Sequence, residues 1–155
     1  MFAAAVPWLY LAAYAAAFAI DVRTRRIPNW ITYPLLLIGL IARPADVGLA
    51  PLASIIAALV AFALFAAFAF RGWMGMGDAK LAAAIALASG PALATIALWL
   101  AFAVGAIVGI ALIATHRIGR RQPIPFGPFL ALAGIAAVLV PDQLLERSPF
   151  GFIFG

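Results

Sequence analysis

The chain has 155 residues, of which 68% are hydrophobic and 10% are charged, with ten basic and five acidic side chains. Soluble domains carry about 25% charged residues, so the composition excludes a soluble globular domain and a disordered chain and predicts a polytopic helical membrane protein. The lack of cysteine excludes disulfides, thiol catalysis and cysteine-ligated zinc, and the single histidine excludes a multi-histidine metal site.

Uncharged runs along the chain predict six transmembrane helices in a single membrane-embedded domain over residues 1–155. The uncharged run from Leu81 to Thr115 is too long for one span, and Ser89-Gly90-Pro91 divides it at a natural turn. Residues 142–155 are expected to form a short interfacial tail. The alternation typical of membrane β-strands is missing, which favours an all-α fold. The predicted spans are Phe2–Ile20, Trp30–Ala42, Val47–Phe70, 78–90, 92–115 and Gln122–Pro141.

Basic residues are distributed unevenly between the two sets of loops. With the N-terminus outside, eight fall in one set and two in the other, a bias that predicts cytoplasmic loops at 21–29, 71–80 and 116–126. Both termini are then on the non-cytoplasmic side. The net charge of +5 is therefore interpreted as membrane orientation, with no nucleic-acid partner. The eight are Arg23, Arg25, Arg26, Arg71, Lys80, Arg117, Arg120 and Arg121, and the two are Arg43 and Arg147.

Two of the five acidic residues, Asp21 and Asp78, lie at span ends on the predicted cytoplasmic side. The other three, Asp46, Asp142 and Glu146, are interpreted as solvated loop or tail charges. Asp21 ends the first span, where a carboxylate faces the unfavourable end of the helix dipole. It is either a functional group or a surface acid paired with the arginines that follow it. Asp78 is either a functional group or the N-cap of the next helix.

Two glycines, Gly75 and Gly77, alternate up to Asp78. Glycine allows another backbone to approach closely, as an extended substrate must beside a catalytic carboxylate. We therefore expect the substrate strand to pass next to Gly77, with Gly77 at a positive φ angle.

Three segments resemble the motifs of prepilin peptidases, the GxGD aspartic membrane peptidases. Asp21 to Asn29 resembles their first motif, Gly75 to Leu81 resembles GxGD with its following lysine, and Pro125-Phe126-Gly127-Pro128 resembles the element that begins their last helix. The resemblance implies an enzyme of the bacterial cytoplasmic membrane whose active site faces the cytoplasm. It would cleave a pilin precursor after the glycine that ends its basic leader.

The resemblance also implies that Asp21 and Asp78 are catalytic and that no metal or cofactor takes part. Two neighbouring carboxylates do not both ionise easily, so one would activate water while the other donates a proton. The sequence does not assign these parts, and the pair is treated as one titrating unit. Because the chain begins at the first span without cysteine, it looks like the short, peptidase-only type associated with Flp (tight adherence) pili.

Four further residues are candidates for a supporting or substrate-binding role. Lys80 could tune Asp78 or contact substrate, or it could reach the membrane interface. Asn29 could cap the second span or hold the extended peptide. Pro125 and Gly127 could shape the start of the last span or form a wall of the substrate cleft.

Other functions remain open at the level of sequence. A small transporter or a non-catalytic secretion-assembly subunit could use the same aspartates for ions or partners. The separation of Asp21 from Asp78 distinguishes them, since only a peptidase needs converging carboxylates. The expected partners are a prepilin and the lipid bilayer. Gly105 and Gly109 form a GxxxG pattern that permits close packing, within the bundle or in a homodimer.

Overall fold

A computed structural model describes residues 2–41, 50–116 and 125–140, and every regular element in these ranges is helical. This confirms the all-α prediction for the described part of the chain. The predicted tail at 142–155 lies outside those ranges, as do Asp46, Asp142 and Glu146. The helices are α1 (Phe2–Thr24), α2 (Asn29–Ile41), α3 (Ala50–Phe70), α4 (Met76–Ala114) and α5 (Gly127–Leu139).

Helix α4 consists of two segments that meet at Gly90. This residue has φ 77° and ψ 172°, a non-helical conformation that glycine adopts without strain, and Pro91 follows it. The break confirms the turn predicted at Ser89-Gly90-Pro91. Phe102 packs on Phe126, which lies beside Asp78 in the same cavity wall, with ring centroids 4.9 Å apart. A straight helix would carry Phe102 about 36 Å from Asp78, so the second segment returns toward the aspartate.

Three of the five helices in the described ranges are long and apolar enough to cross a membrane by length and composition. They are α1, α3 and α4, whereas α2 and α5 have 13 residues each. A 13-residue helix spans about 20 Å, short of a hydrocarbon core of about 30 Å. Six spans and outward termini therefore remain a prediction.

The first segment of α4 is the centre of the described bundle. Nearly every residue from Asp78 to Leu87 is buried, and α4 packs on α2, α3 and α5. Alanines occupy many of these positions, and their small side chains allow neighbouring helices to approach closely. Helix α1 instead packs mainly on α5 and scarcely touches α4. The helices that carry the two aspartates are thus joined largely through other elements.

Helix α1 ends in a tight left-handed turn. Arg25 has φ 55°, and its backbone N–H donates to the carbonyl of Asp21 at 2.8 Å. Pro28 has no N–H to continue a helix, and α2 begins at Asn29. The turn directs Ile27 into the bundle, where 8% of its surface remains exposed. In residues 25–28, the Ile27 loop, the side chain of Ile27 therefore lies between the aspartate-bearing helices, whereas Arg25 and Arg26 are exposed.

Candidate active site

Asp21 and Asp78 converge on shared cavities although 57 positions separate them in sequence. They are 3% and 6% exposed, and their carboxylates are close enough to interact electrostatically. Both line a cavity of about 340 Å³, together with Arg25, Arg26 and Ile27. Both also line a second cavity of about 220 Å³. The convergence that distinguishes a peptidase from a scaffold is present.

Asp21 is held by the start of α5. The backbone N–H of Gly127 donates a hydrogen bond to its carboxylate. Although Asp21 lies at the unfavourable end of α1, its carboxylate meets the positive end of the α5 dipole. A β-carbon at Gly127 would lie 2.5 Å from Oδ2 and 2.7 Å from Cγ of Asp21. Only glycine lets the helix start approach this closely.

Asp78 lies in the first turn of α4 and is not its N-cap. The N-cap is Gly75, whose backbone N–H donates to Oδ2 of Asp78 at 3.1 Å. The N-cap interpretation from the sequence is therefore wrong by three positions. Like Asp21, Asp78 presents its carboxylate to helix-terminal N–H groups, where negative charge is stabilised.

Gly77 packs against the Ile27 loop. A β-carbon there would lie 2.9 Å from both Cβ and the carbonyl oxygen of Ile27. Positive φ angles among the described glycines occur only at Gly72 and Gly90. The predicted positive φ at Gly77 is therefore wrong, and Ile27 fills the space expected for substrate. Gly77 does allow another backbone to approach closely, but the approaching residue is Ile27 of the same chain.

The arginines after Asp21 do not neutralise it. Within the described ranges the Asp21 carboxylate has no ion pair, and its hydrogen bond comes from Gly127. Arg25 and Arg26 are exposed, although they line the larger cavity. The alternative of a solvated surface acid paired with arginine is wrong because Asp21 is buried.

Lys80 of α4 and Asn29 of α2 contact each other outside the lining of the two cavities. Lys80 Nζ donates to Asn29 Oδ1 at 2.7 Å and to the Tyr33 hydroxyl at 3.1 Å. The Asn29 side-chain oxygen thus accepts a hydrogen bond from Lys80, and substrate binding by Asn29 stays a prediction. The sequence offered no signal for Tyr33, because its position depends on how α2 packs against α4.

The start of α5 forms one wall of the smaller cavity. Pro125 and Phe126 line it together with Trp73, consistent with a cleft wall at this proline-glycine element. Phe126 is positioned in this wall by ring packing against Phe65 and Phe102, at 6.2 Å and 4.9 Å between centroids. The sequence gives no signal for this packing.

The GxxxG glycine at position 105 faces the inside of the bundle. A β-carbon at Gly105 would lie 3.1 Å from the Phe126 ring and 3.3 Å from the Phe129 ring. This glycine therefore allows α4 to pack on α5. A homodimer through Gly105 and Gly109 stays an untested prediction.

The geometry suits acid–base chemistry on a water molecule. Two buried carboxylates face shared cavities, and each accepts a backbone hydrogen bond that fixes its orientation. Within the described ranges, no three His, Cys, Asp or Glu side chains gather as a metal-binding group. One ionised carboxylate can take a proton from water while the other, protonated, donates to an oxygen.

A protein-family model described as the type IV leader peptidase family matches residues 8–110, about two thirds of the chain. The chain is 37% identical over 132 residues to a prepilin leader peptidase/N-methyltransferase of Aeromonas salmonicida, covering 81% of this chain and 45% of that protein. A protein of the same name from Bacillus subtilis is 33% identical over 129 residues, covering 81% and 52%. The Pseudomonas aeruginosa protein is 33% identical over 132 residues, covering 81% and 46%.

The chain spans about half the length of the curated relatives it matches. No solved structure gives a significant match. The matched region includes both aspartates and the glycines before Asp78, whereas Pro125 and Gly127 lie beyond the residues that the family model covers.

Proposed function

The chain belongs to the type IV leader peptidase family, and we propose that it is a membrane aspartic endopeptidase that removes the leader peptide from type IV prepilins or pilin-like precursors. The observation that carries the proposal is the convergence of Asp21 and Asp78, both buried, on the same cavities. The narrower substrate class is the Flp-type pilin, and the site faces the cytoplasm of a bacterial inner membrane. The names of the relatives support the broader class of prepilin substrates.

The proposed reaction uses the two carboxylates as one unit. The ionised carboxylate removes a proton from a water molecule, whose oxygen attacks the scissile carbonyl carbon. The protonated carboxylate donates its proton to the carbonyl oxygen, giving a tetrahedral diol. As this collapses, the carbon–nitrogen bond breaks and the leaving amine receives a proton from the pair. The backbone N–H groups of Gly75 and Gly127 orient the carboxylates throughout.

The test replaces each aspartate by its neutral isostere in the full chain. Asp21→Asn and Asp78→Asn should each abolish cleavage of a purified prepilin, because an amide side chain cannot act as a general acid or a general base near neutral pH. Cleavage is followed by mass spectrometry of the released leader in detergent. Asp46→Asn is the matched control, since it makes the same chemical change at an acid interpreted as a loop charge.

Cleavage by either Asn variant at a near-normal rate would contradict the dyad. Circular dichroism and gel filtration must show that each variant is folded, so that loss of activity reports on chemistry. Comparing Flp-type precursors with other type IV precursors then tests the narrower substrate class. Equal cleavage of both would remove the Flp assignment and leave the peptidase proposal intact.

A further inference from the structure

The Lys80 side chain connects α4, which carries Asp78, to the start of α2. Lys80 is two residues after Asp78, in the first turns of α4, and it donates to Asn29 and Tyr33 of α2. Its Nζ also lies 4.5 Å from the centre of the Tyr33 ring, within range of a cation–π interaction. Asn29 is the residue that follows the Ile27 loop, so the contact ties the end of that loop to α4.

The connection matters because direct packing does not hold the two aspartates together. Helix α1, which ends with Asp21, scarcely touches α4, which begins with Asp78. The Ile27 loop fills the gap, with Ile27 against Gly77 on one side. On the other side, a β-carbon placed at Gly127 would lie 3.0 Å from Cδ1 of Ile27. Gly127 is the residue whose backbone N–H binds the Asp21 carboxylate. The loop therefore contacts both the residue before Asp78 and the residue that holds Asp21.

The described hydrogen bonds of Lys80 go to side chains other than the two carboxylates. The hydrogen bonds of its ammonium group within the described ranges go to Asn29 and Tyr33, and the backbone donor to Asp78 is Gly75. No ion pair joins Lys80 to Asp78 in those ranges, and direct charge tuning of Asp78 by Lys80 stays a prediction from the sequence. The observed contact joins α4 to α2, which favours a mechanical function.

We propose that Lys80, Asn29 and Tyr33 form a brace, the Lys80 brace, that fixes the Ile27 loop against α4 and thereby sets the position of Asp21 relative to Asp78. Lys80 is a positioning residue in this reaction, and the role rests on the proposed peptidase function. A hydrogen bond between a charged donor and a neutral acceptor is stronger than a neutral pair, which suits a fixed spacer at the edge of the bundle.

The experiment measures kcat and KM for prepilin cleavage by the purified full chain. Lys80→Met keeps the length of the side chain but removes its charge and donors. A carboxylate displaced by about 1 Å costs about 100-fold in rate, so kcat should fall by that order while KM stays constant. Asn29→Leu should reproduce the loss. Asn29→Asp retains an acceptor for Lys80 and should restore most of kcat.

A double variant and a control make the test specific. Lys80→Met with Asn29→Leu should lose no more kcat than the worse single variant, because both remove the same contact. Tyr10→Phe removes another interhelical hydrogen bond, from the Tyr10 hydroxyl to the Leu35 carbonyl at 3.1 Å, away from the aspartates. It should lower Tm and leave kcat unchanged, which separates loss of stability from loss of positioning.

Several results would overturn the brace. A raised KM with normal kcat in Lys80→Met would show that Lys80 contacts substrate. Losses that multiply in the double variant would show that Lys80 and Asn29 act independently. An unaltered chain that cuts no precursor would overturn the peptidase proposal and the brace together. A fully active Lys80→Met beside inactive Asn variants of the aspartates would overturn the brace alone.

Discussion

Replacing Gly127 by alanine should disable the enzyme without unfolding it. The new β-carbon would lie 2.5 Å from Oδ2 of Asp21, whereas a favourable contact of a carbon atom needs a separation of about 3.5 Å. The carboxylate must therefore move by roughly 1 Å, and a misplacement of that size costs about 100-fold in rate, or about 2.7 kcal/mol of activation free energy. Gly127 begins α5 without a positive φ angle, so alanine is compatible with the backbone there.

The assay compares Gly127→Ala with Gly75→Ala, one substitution beside each carboxylate. A β-carbon at Gly75 would lie 3.6 Å from Oδ2 of Asp78, an ordinary contact, so that variant should lose far less activity. Initial rates of prepilin cleavage are normalised to folded protein from gel filtration, and melting curves are recorded in the same detergent. Equal rates for the two variants at similar Tm would refute the conclusion that the start of α5 positions the Asp21 carboxylate.

Gly77→Val should lower both Tm and activity, because the side chain would collide with the backbone of the Ile27 loop; overpacking of this kind costs about 1–3 kcal/mol of unfolding free energy. An inactive variant with normal Tm would instead restore the substrate path expected from the sequence. Tyr14→Phe should leave Tm unchanged or raise it, because the buried Tyr14 hydroxyl has no hydrogen-bond partner among the described residues. A clear fall in Tm would reveal a bound water at that hydroxyl. Cysteines introduced at Thr24 and Ile118 should react with a cytoplasmic thiol label, and one at Asp46 with an external label, since the chain has no cysteine of its own. The opposite labelling pattern would reverse the topology.

The sequence alone determined the helical class and most helix positions. Long uncharged runs carry this information locally, because each run must satisfy its own backbone hydrogen bonds in a membrane. Gly90-Pro91 marked the break in α4 because glycine adopts the positive φ angle found there and proline lacks the N–H that would continue a helix. The positions of Asp21 and Asp78 at the ends of apolar runs made both candidates for a functional site, whereas their burial was left open by the sequence and came from the structure.

The tertiary structure alone decided what holds the Asp21 carboxylate, whereas Asp78 is held by Gly75 of its own motif. Gly127 lies 106 positions after Asp21, and no period or spacing in the chain links a glycine at one helix start to an acid at another helix end. Gly77 could be identified as a close approach, but its neighbour is Ile27, which only the packing of the loop against α4 determines. Lys80 likewise meets Asn29 across 51 positions. Such contacts depend on the relative placement of whole helices, which arises from the sum of many weak packing interactions and leaves no local pattern in the sequence.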